Sequence, residues 1–169
     1  MNFGRFLRTD MIALDLRISY TPPDDGNDFS EEVESWKQKD LVVKELVELF
    51  EKSGEIRNPT KFYKDFIFRE KQASTGIGKG LAIPHLRSMQ ARKVVTIFAR
   101  APEGVEFMSI DGEPVHLFFG ITSPPYEDEL YLQIFQWIAR AFSDEIWLHN
   151  ALLEIESADE AIKIIRSVG

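Results

Sequence analysis

No cysteine occurs among the 169 residues, which excludes disulfides, thiolate nucleophiles and thiolate metal sites. A chain without cysteine suits a reducing compartment, and the cytoplasm is the expected location. Histidine is scarce as well. His85, His116 and His149 do not recur at metal-ligand spacing, so neither a metal site nor a cofactor is expected. An excess of cations is also missing: 20 Lys and Arg stand against 28 Asp and Glu, a formal net charge of -8. That sign argues against a phosphate-backbone binder, and no nucleic-acid partner is expected. Long hydrophobic runs are absent too. Met1 to Leu16 interrupts its apolar stretches with Arg5, Arg8 and Asp10, which makes no signal-peptide core, and no later run approaches a bilayer span. Direct membrane insertion is therefore not expected. What remains is 44% hydrophobic and 12% aromatic residues, enough for a substantial core in a single domain over 1–169.

Ile12 to Ile18 reads as a short strand. Thr21 to Asn27 brings together Pro22, Pro23, Asp24, Asp25 and Gly26, and acidic residues follow, so Thr21 to Lys37 is expected to be an acidic surface loop. From Gln38 to Ser53, Val42, Leu46, Leu49 and Phe50 recur at helical spacing, with Gly54 at the expected stop. Asn58-Pro59 opens a second helix, since Asn caps free amides and Pro needs no amide partner at the first position; it should run to about Arg69 to Gln72. Val94 to Ala99 and Val115 to Ile121 read as buried strands. Leu130, Ile134, Trp137, Ile138 and Ala141 mark another helix, and Ser157 with Glu160 caps a terminal one. Helices interspersed with strands predict an α/β fold in which helices cover a mixed sheet.

Chemistry concentrates in Arg69 to Arg87, REKQASTGIGKGLAIPHLR, which joins a cation, hydroxyl residues, three glycines and one histidine. Gly76, Gly78 and Gly80 permit backbone conformations in which amides turn inward to hold an anion, although the segment lacks the Gly-Lys-Ser/Thr ending of a Walker loop. His85 follows Leu81, Ala82, Ile83 and Pro84, which read as the end of a buried strand delivering the imidazole to the sheet's edge. A neutral imidazole is a competent nucleophile near neutral pH. Taken alone, without the surrounding motif, His85 reads more readily as a hydrogen-bonded structural histidine, and His116 and His149 are read as structural.

The run RExxxSTGIGxGxAIPH, filled by Arg69 to His85, resembles the active-site signature of the fructose/mannitol-type enzyme IIA domains of the phosphotransferase system and their nitrogen-regulatory relatives. The likeness extends more loosely over most of the chain from Lys39 onward, and Phe6 to Leu16 resembles the family's opening segment. It implies the enzyme IIA type 2 fold. It also implies a phosphoryl carrier that accepts phosphate from an HPr-like phosphocarrier protein on His85 and passes it to a IIB domain, or signals to a regulatory protein target by its phosphorylation state. By the same resemblance Arg69 stabilises charge on the transferring group. Ser74 and Thr75 supply hydroxyls, and Gly76, Ile77 and Gly78 supply amides, to hold the phosphate.

Two departures stand out. Members of the family usually carry a second histidine in a His-Leu pair, where this chain has Tyr131 and Leu132. A phenol can hydrogen-bond a phosphate oxygen but does not readily carry positive charge. The acidic Thr21 to Lys37 segment is the other departure. Together they favour an alternative in which the chain is a regulatory binding module of the nitrogen-regulatory type with little or no phosphotransfer. A structural relative without any transfer, like the cytoplasmic domains of anion exchangers, fits the intact STGIGKGLAIPH run less well.

Overall fold

The computed structural model describes residues 3–18, 30–144 and 146–168. Its centre is a six-stranded mixed sheet. The strands are β1 (Ile12–Ala13), β2 (Gly76–Gly78), β3 (Leu81–Ala82), β4 (His85–Arg87), β5 (Val95–Val105) and β6 (Val115–Ser123). They are ordered β1-β5-β6-β3-β2, with β4 also paired to β6. The helices are α1 (Glu31–Glu51), α2 (Pro59–Gln72), α3 (Asp128–Asp144), α4 (Ile146–Glu154) and α5 (Ala158–Ser167). Among the described residues no helix is long and apolar enough to cross a membrane.

The pleat of the central strands divides the core into two. Phe98 of β5 and Leu117, Phe119 and Ile121 of β6 pack with α3, α4 and α5, while Ile97 and Ala99 of β5 and Phe118 of β6 pack with α1 and α2. Alternation of side chains along a strand places neighbours on opposite faces, so both faces are apolar and both are covered by helices. Closest approach is made at Gly120, paired with Ile97. A Cβ there would come within 2.4 Å of Ile97 Cγ1 and 2.9 Å of Phe50 Cζ, which lets α1 lie directly on the sheet.

Two expected boundaries shift. Helix α1 begins at Glu31, so Glu31 to Lys37 is helical rather than loop; the Thr21 to Asn27 portion of that expected loop lies outside the described residues. The acidic character that suggested a solvated excursion is what a helix N-terminus favours, because Glu31, Glu32 and Glu34 face the positive end of the helix dipole. Pairing of the first strand stops at Ala13 rather than continuing to Ile18. Beyond it the buried Arg100 holds the chain through Nε to the Leu14 carbonyl, and Nη1 reaches the Leu153 and Ile155 carbonyls. The caps are as the sequence indicates: Asn58 Oδ1 accepts from the Lys61 amide at 3.0 Å, and Ser157 Oγ accepts from the Glu160 amide at 3.1 Å.

Candidate functional site

Strands β3 and β4 are one line of parallel pairing interrupted at Ile83-Pro84. Leu81 faces Leu117 and His85 faces Ile121 in the same register, and the Pro84 carbonyl still accepts from the Ile121 amide at 2.9 Å. Pro84 has no amide to donate, which opens the ladder there. His85 therefore begins a short strand of its own on the flank of β6, whose parallel pairing holds the backbone.

The imidazole is fixed from three sides. Nδ1 lies 2.7 Å from the Ile83 carbonyl, which can only accept, so Nδ1 carries the proton. Nε2 lies 2.8 Å from Arg69 Nη2, which can only donate, so Nε2 presents its lone pair. Phe135 of α3 meets the ring edge-on at 5.1 Å between centroids. Burial lowers the His85 pKa from the ordinary histidine value, the Ile83 hydrogen bond acts in the opposite direction, and the Arg69 charge lowers it further. The two bonds fix the Nδ1–H tautomer, with the Nε2 lone pair accepting from Arg69.

Arg69 sits in the last turn of α2 and is anchored by Nη1 to the Ala73 carbonyl at 3.0 Å. Its neighbour Glu70 points the other way, into the core. There it pairs with Lys39 Nζ at 2.9 Å, with both side chains almost fully buried, and accepts from the Thr75 amide at 3.2 Å and from the Thr75 hydroxyl. Lys39 Nζ also donates to Ser74 Oγ at 3.1 Å and lies over the Phe107 ring at 4.6 Å. This buried cluster ties α1 and α2 to the segment ahead of β2.

The same bonds engage much of the glycine-rich run. Ser74 Oγ donates to the Phe107 carbonyl and accepts from Lys39 and the Gly76 amide. The Thr75 donors both go to Glu70, and the Gly78 amide goes to Ser109 Oγ at 3.1 Å. These hydroxyls and amides bond inside the fold. The glycines also serve a hairpin. Gly78 faces Leu81 across Lys79-Gly80, whose φ values of 55° and 73° are those of the tight turn that suits β-strand twist. Gly76 lets the Ser109 backbone approach, since a Cβ would lie 2.9 Å from Ser109 Cα. Ile77 stands exposed at this hairpin, away from the imidazole's hydrogen-bonding partners.

His85, Arg69 and Tyr131 share one open cleft of about 690 Å³, whose wall also includes Gln72, Arg87 and Pro125. The Tyr131 side chain is largely buried, and its hydroxyl is not one of the buried unpaired polar atoms. Burial raises its pKa, opposed by the charges of Arg69 and Arg87. Among the described residues no group of three or more His, Cys, Asp or Glu is placed to hold a metal ion. His116 bonds to the Pro102 carbonyl and His149 borders a separate cavity beside α3. Lys39 and Arg87 were not singled out by motif reading. Both leave a sequence signal: Lys39 stands three and four residues before Val42 and Val43 on the apolar face of α1, and Arg87 falls two residues after His85, on the same side of a strand.

Residues 28–168 match the family model described as "Phosphoenolpyruvate-dependent sugar phosphotransferase system, EIIA 2". The fructose-specific EIIABC component of Bacillus subtilis is 33% identical over 129 residues, which cover 76% of this chain but only 20% of that protein. The fructose-specific EIIA component of Haloferax volcanii is 30% identical over 77% of this chain and 84% of that one. Among solved structures, nitrogen regulatory protein IIA-Ntr from Neisseria meningitidis superposes with a TM-score of 0.77 at 26% identity, covering 96% of this chain and 97% of that one. The Escherichia coli complex of mannitol IIA with phosphorylated IIB shares the fold at a TM-score of 0.70 and 21% identity, over 95% and 97% of the two chains. The signature run, the mixed sheet between two helical layers and the match across most of the chain agree: it belongs to the EIIA type 2 family of the phosphoenolpyruvate-dependent sugar phosphotransferase system.

Proposed function

We propose that this chain is a phosphoryl carrier that accepts phosphate from an HPr-like phosphocarrier on Nε2 of His85 and passes it to a IIB domain. The observation that carries this reading is the fixed tautomer: Nδ1 donates to the Ile83 carbonyl, leaving the Nε2 lone pair beside Arg69 in an open cleft. In the transfer, the P–N bond to the donor imidazole breaks as the P–Nε2 bond forms, and the donor nitrogen keeps the electron pair. Little covalent work is asked of the protein, because the transition state is loose and its charge is spread over three oxygens; positioning and cations supply the catalysis. Arg69 provides the first cation. The Tyr131 hydroxyl supplies a donor where relatives carry a second histidine, and no cofactor is needed.

The rim of the cleft suits docking of a small protein. Phe68 and Met89 line it and are 66% and 56% exposed, and Tyr126 and Leu132, next to Pro125 and Tyr131, are 65% and 54% exposed. Such a group of exposed apolar side chains around a reactive residue marks a protein contact surface. The location that goes with these partners is the cytoplasm. A second reading, favoured by Tyr131 in the second-histidine place and by the nitrogen regulatory relatives, is a module that docks a regulatory target and is switched by phosphorylation. A phosphoryl group adds roughly -1.5 to -2 charge, enough to change which partner the cleft accepts.

The test is transfer from a phosphorylated HPr-type carrier, followed by intact mass. One acid-labile phosphoryl group on the wild type and none on His85→Ala is the expected result. An unlabelled wild type, with carriers of both the sugar and nitrogen branches, overturns the carrier reading and leaves the docking module.

A further inference from the structure

We infer that Arg87 is a second phosphoryl-binding cation of this site, held in waiting by Asp128 and released to the phosphoryl oxygens when His85 is charged. The inference rests on the carrier reading above. A phosphoryl group on Nε2 presents three oxygens, and few donors are open to them. Those of Ser74, Thr75, Gly76 and Gly78 are bound inside the fold, and Arg69 spends Nη1 on the Ala73 carbonyl. Around the cleft, Arg69 Nη2 is held by His85 Nε2 until that nitrogen is phosphorylated; the neutral donors are the Tyr131 hydroxyl and the Gln72 and Gln90 amides, and Arg87 is a second guanidinium in the lining.

Arg87 is well placed to fill the gap. It follows His85 by two residues on β4, so both side chains leave the same face of the strand, about 7 Å apart along it. Both line the same cleft, and the Arg87 guanidinium lies 5.7 Å from the centroid of the Tyr131 ring. Only Nη2 is engaged, with the Asp128 carboxylate and the Pro125 carbonyl; Nε and Nη1 have no partner among the described residues. The tether is weak by its setting. Arg87 and Asp128 side chains are 39% and 63% exposed, and exposed ion pairs contribute little to stability. A dianionic phosphoryl group outcompetes a single carboxylate for a guanidinium that can offer two parallel donors. Relatives with a second histidine can place a cation opposite the first arginine; in this chain Tyr131 cannot, and Arg87 does so from the strand. No proton moves at Arg87 in the transfer, and no covalent bond to it forms.

The experiment compares wild type, Arg87→Gln, Arg87→Lys and Asp128→Asn, each charged from a phosphorylated HPr-type carrier, with the rate followed by quench and intact mass. Arg87→Gln should slow transfer about 10- to 100-fold, below the 10²- to 10³-fold typical of a single dedicated oxyanion donor because Arg69 remains. Arg87→Lys should recover part of the rate, and Asp128→Asn should equal or exceed wild type. A second readout does not depend on the rate. Removing a cation raises the second pKa of the phosphoryl group, so its ³¹P titration midpoint should move upward in charged Arg87→Gln and stay in place in Asp128→Asn. A full rate with an unmoved midpoint in Arg87→Gln overturns the inference. Equal losses in Arg87→Gln and Asp128→Asn also overturn it, by showing that the pair only braces α3. If the wild type is not labelled, or His85→Ala still is, the carrier reading itself fails, a result distinct from either of these.

Discussion

Lys39 is the most consequential buried charge in the protein, and replacing it by methionine isolates its contribution. Methionine keeps the unbranched stem beside Trp36 and Phe107 but leaves the Glu70 carboxyl without its counter-charge, almost fully removed from water. Breaking one side of a buried pair costs about 3–5 kcal/mol, since the partner loses its compensation and keeps its desolvation penalty. At about 2–4 °C per kcal/mol for a chain of this size, Lys39→Met should lower the melting temperature by about 6–20 °C. Urea unfolding followed by circular dichroism measures the loss, and an unchanged m-value assigns it to stability. Adding Glu70→Gln should return much of it, because no buried charge is then unpaired and the amide oxygen can still accept from Thr75. A loss below about 1 kcal/mol in the single variant, the range of an exposed pair, refutes the reasoning. So does a double variant as unstable as the two single changes added together.

Other residues of the cleft give independent tests in the same transfer assay. Arg69→Ala removes the donor on Nε2 and should reduce the rate about 10²- to 10³-fold; a loss under tenfold contradicts its assigned part. Tyr131→Phe deletes one hydrogen bond to the phosphoryl group, about 0.5–1.5 kcal/mol, and should slow transfer severalfold, whereas an unchanged rate makes Tyr131 only a packing partner of Phe135. His85 has a depressed pKa, chiefly from burial, so it should stay neutral as pH falls through about 6.5, where an unperturbed imidazole is half protonated. Below that value the unfolded chain binds the proton first, and the stability contributed by this group declines as pH falls toward the folded-state pKa. NMR titration of the imidazole reads this directly, and a midpoint at or above the ordinary value contradicts the burial argument.

Much of the fold was legible because hydrophobic period and capping chemistry are local. Asn58-Pro59 and Ser157 mark their helices correctly, and the apolar runs around Ile97 and Phe118 are the two central strands. Glu31 to Lys37 misled because acidic residues are common to solvated loops and to helix N-termini, and only the packing of the buried Lys39 one turn later separates the two. Helix α4 buries Leu148 and Leu152 at helical spacing, but Trp147 and Leu153 beside them are apolar too, which blurs the stripe in the sequence. At the site, His85 and Arg69 could be named from the signature, and the structure brings them within hydrogen-bonding distance. The glycine run read as an anion-holding loop, and its hairpin was not legible: the bonds that shape it go to Ser109 and Glu70, partners that lie outside the run or turn away from it, and no local spacing reveals such contacts.

The central claim is that His85 accepts the phosphoryl group through Nε2. Heteronuclear NMR on the charged, ¹⁵N-labelled protein tests it, by detecting the phosphorus coupling at one ring nitrogen while the other keeps its proton. Coupling is expected at Nε2, with Nδ1–H still donating to the Ile83 carbonyl. Phosphorus on Nδ1, or on any residue other than His85, contradicts it.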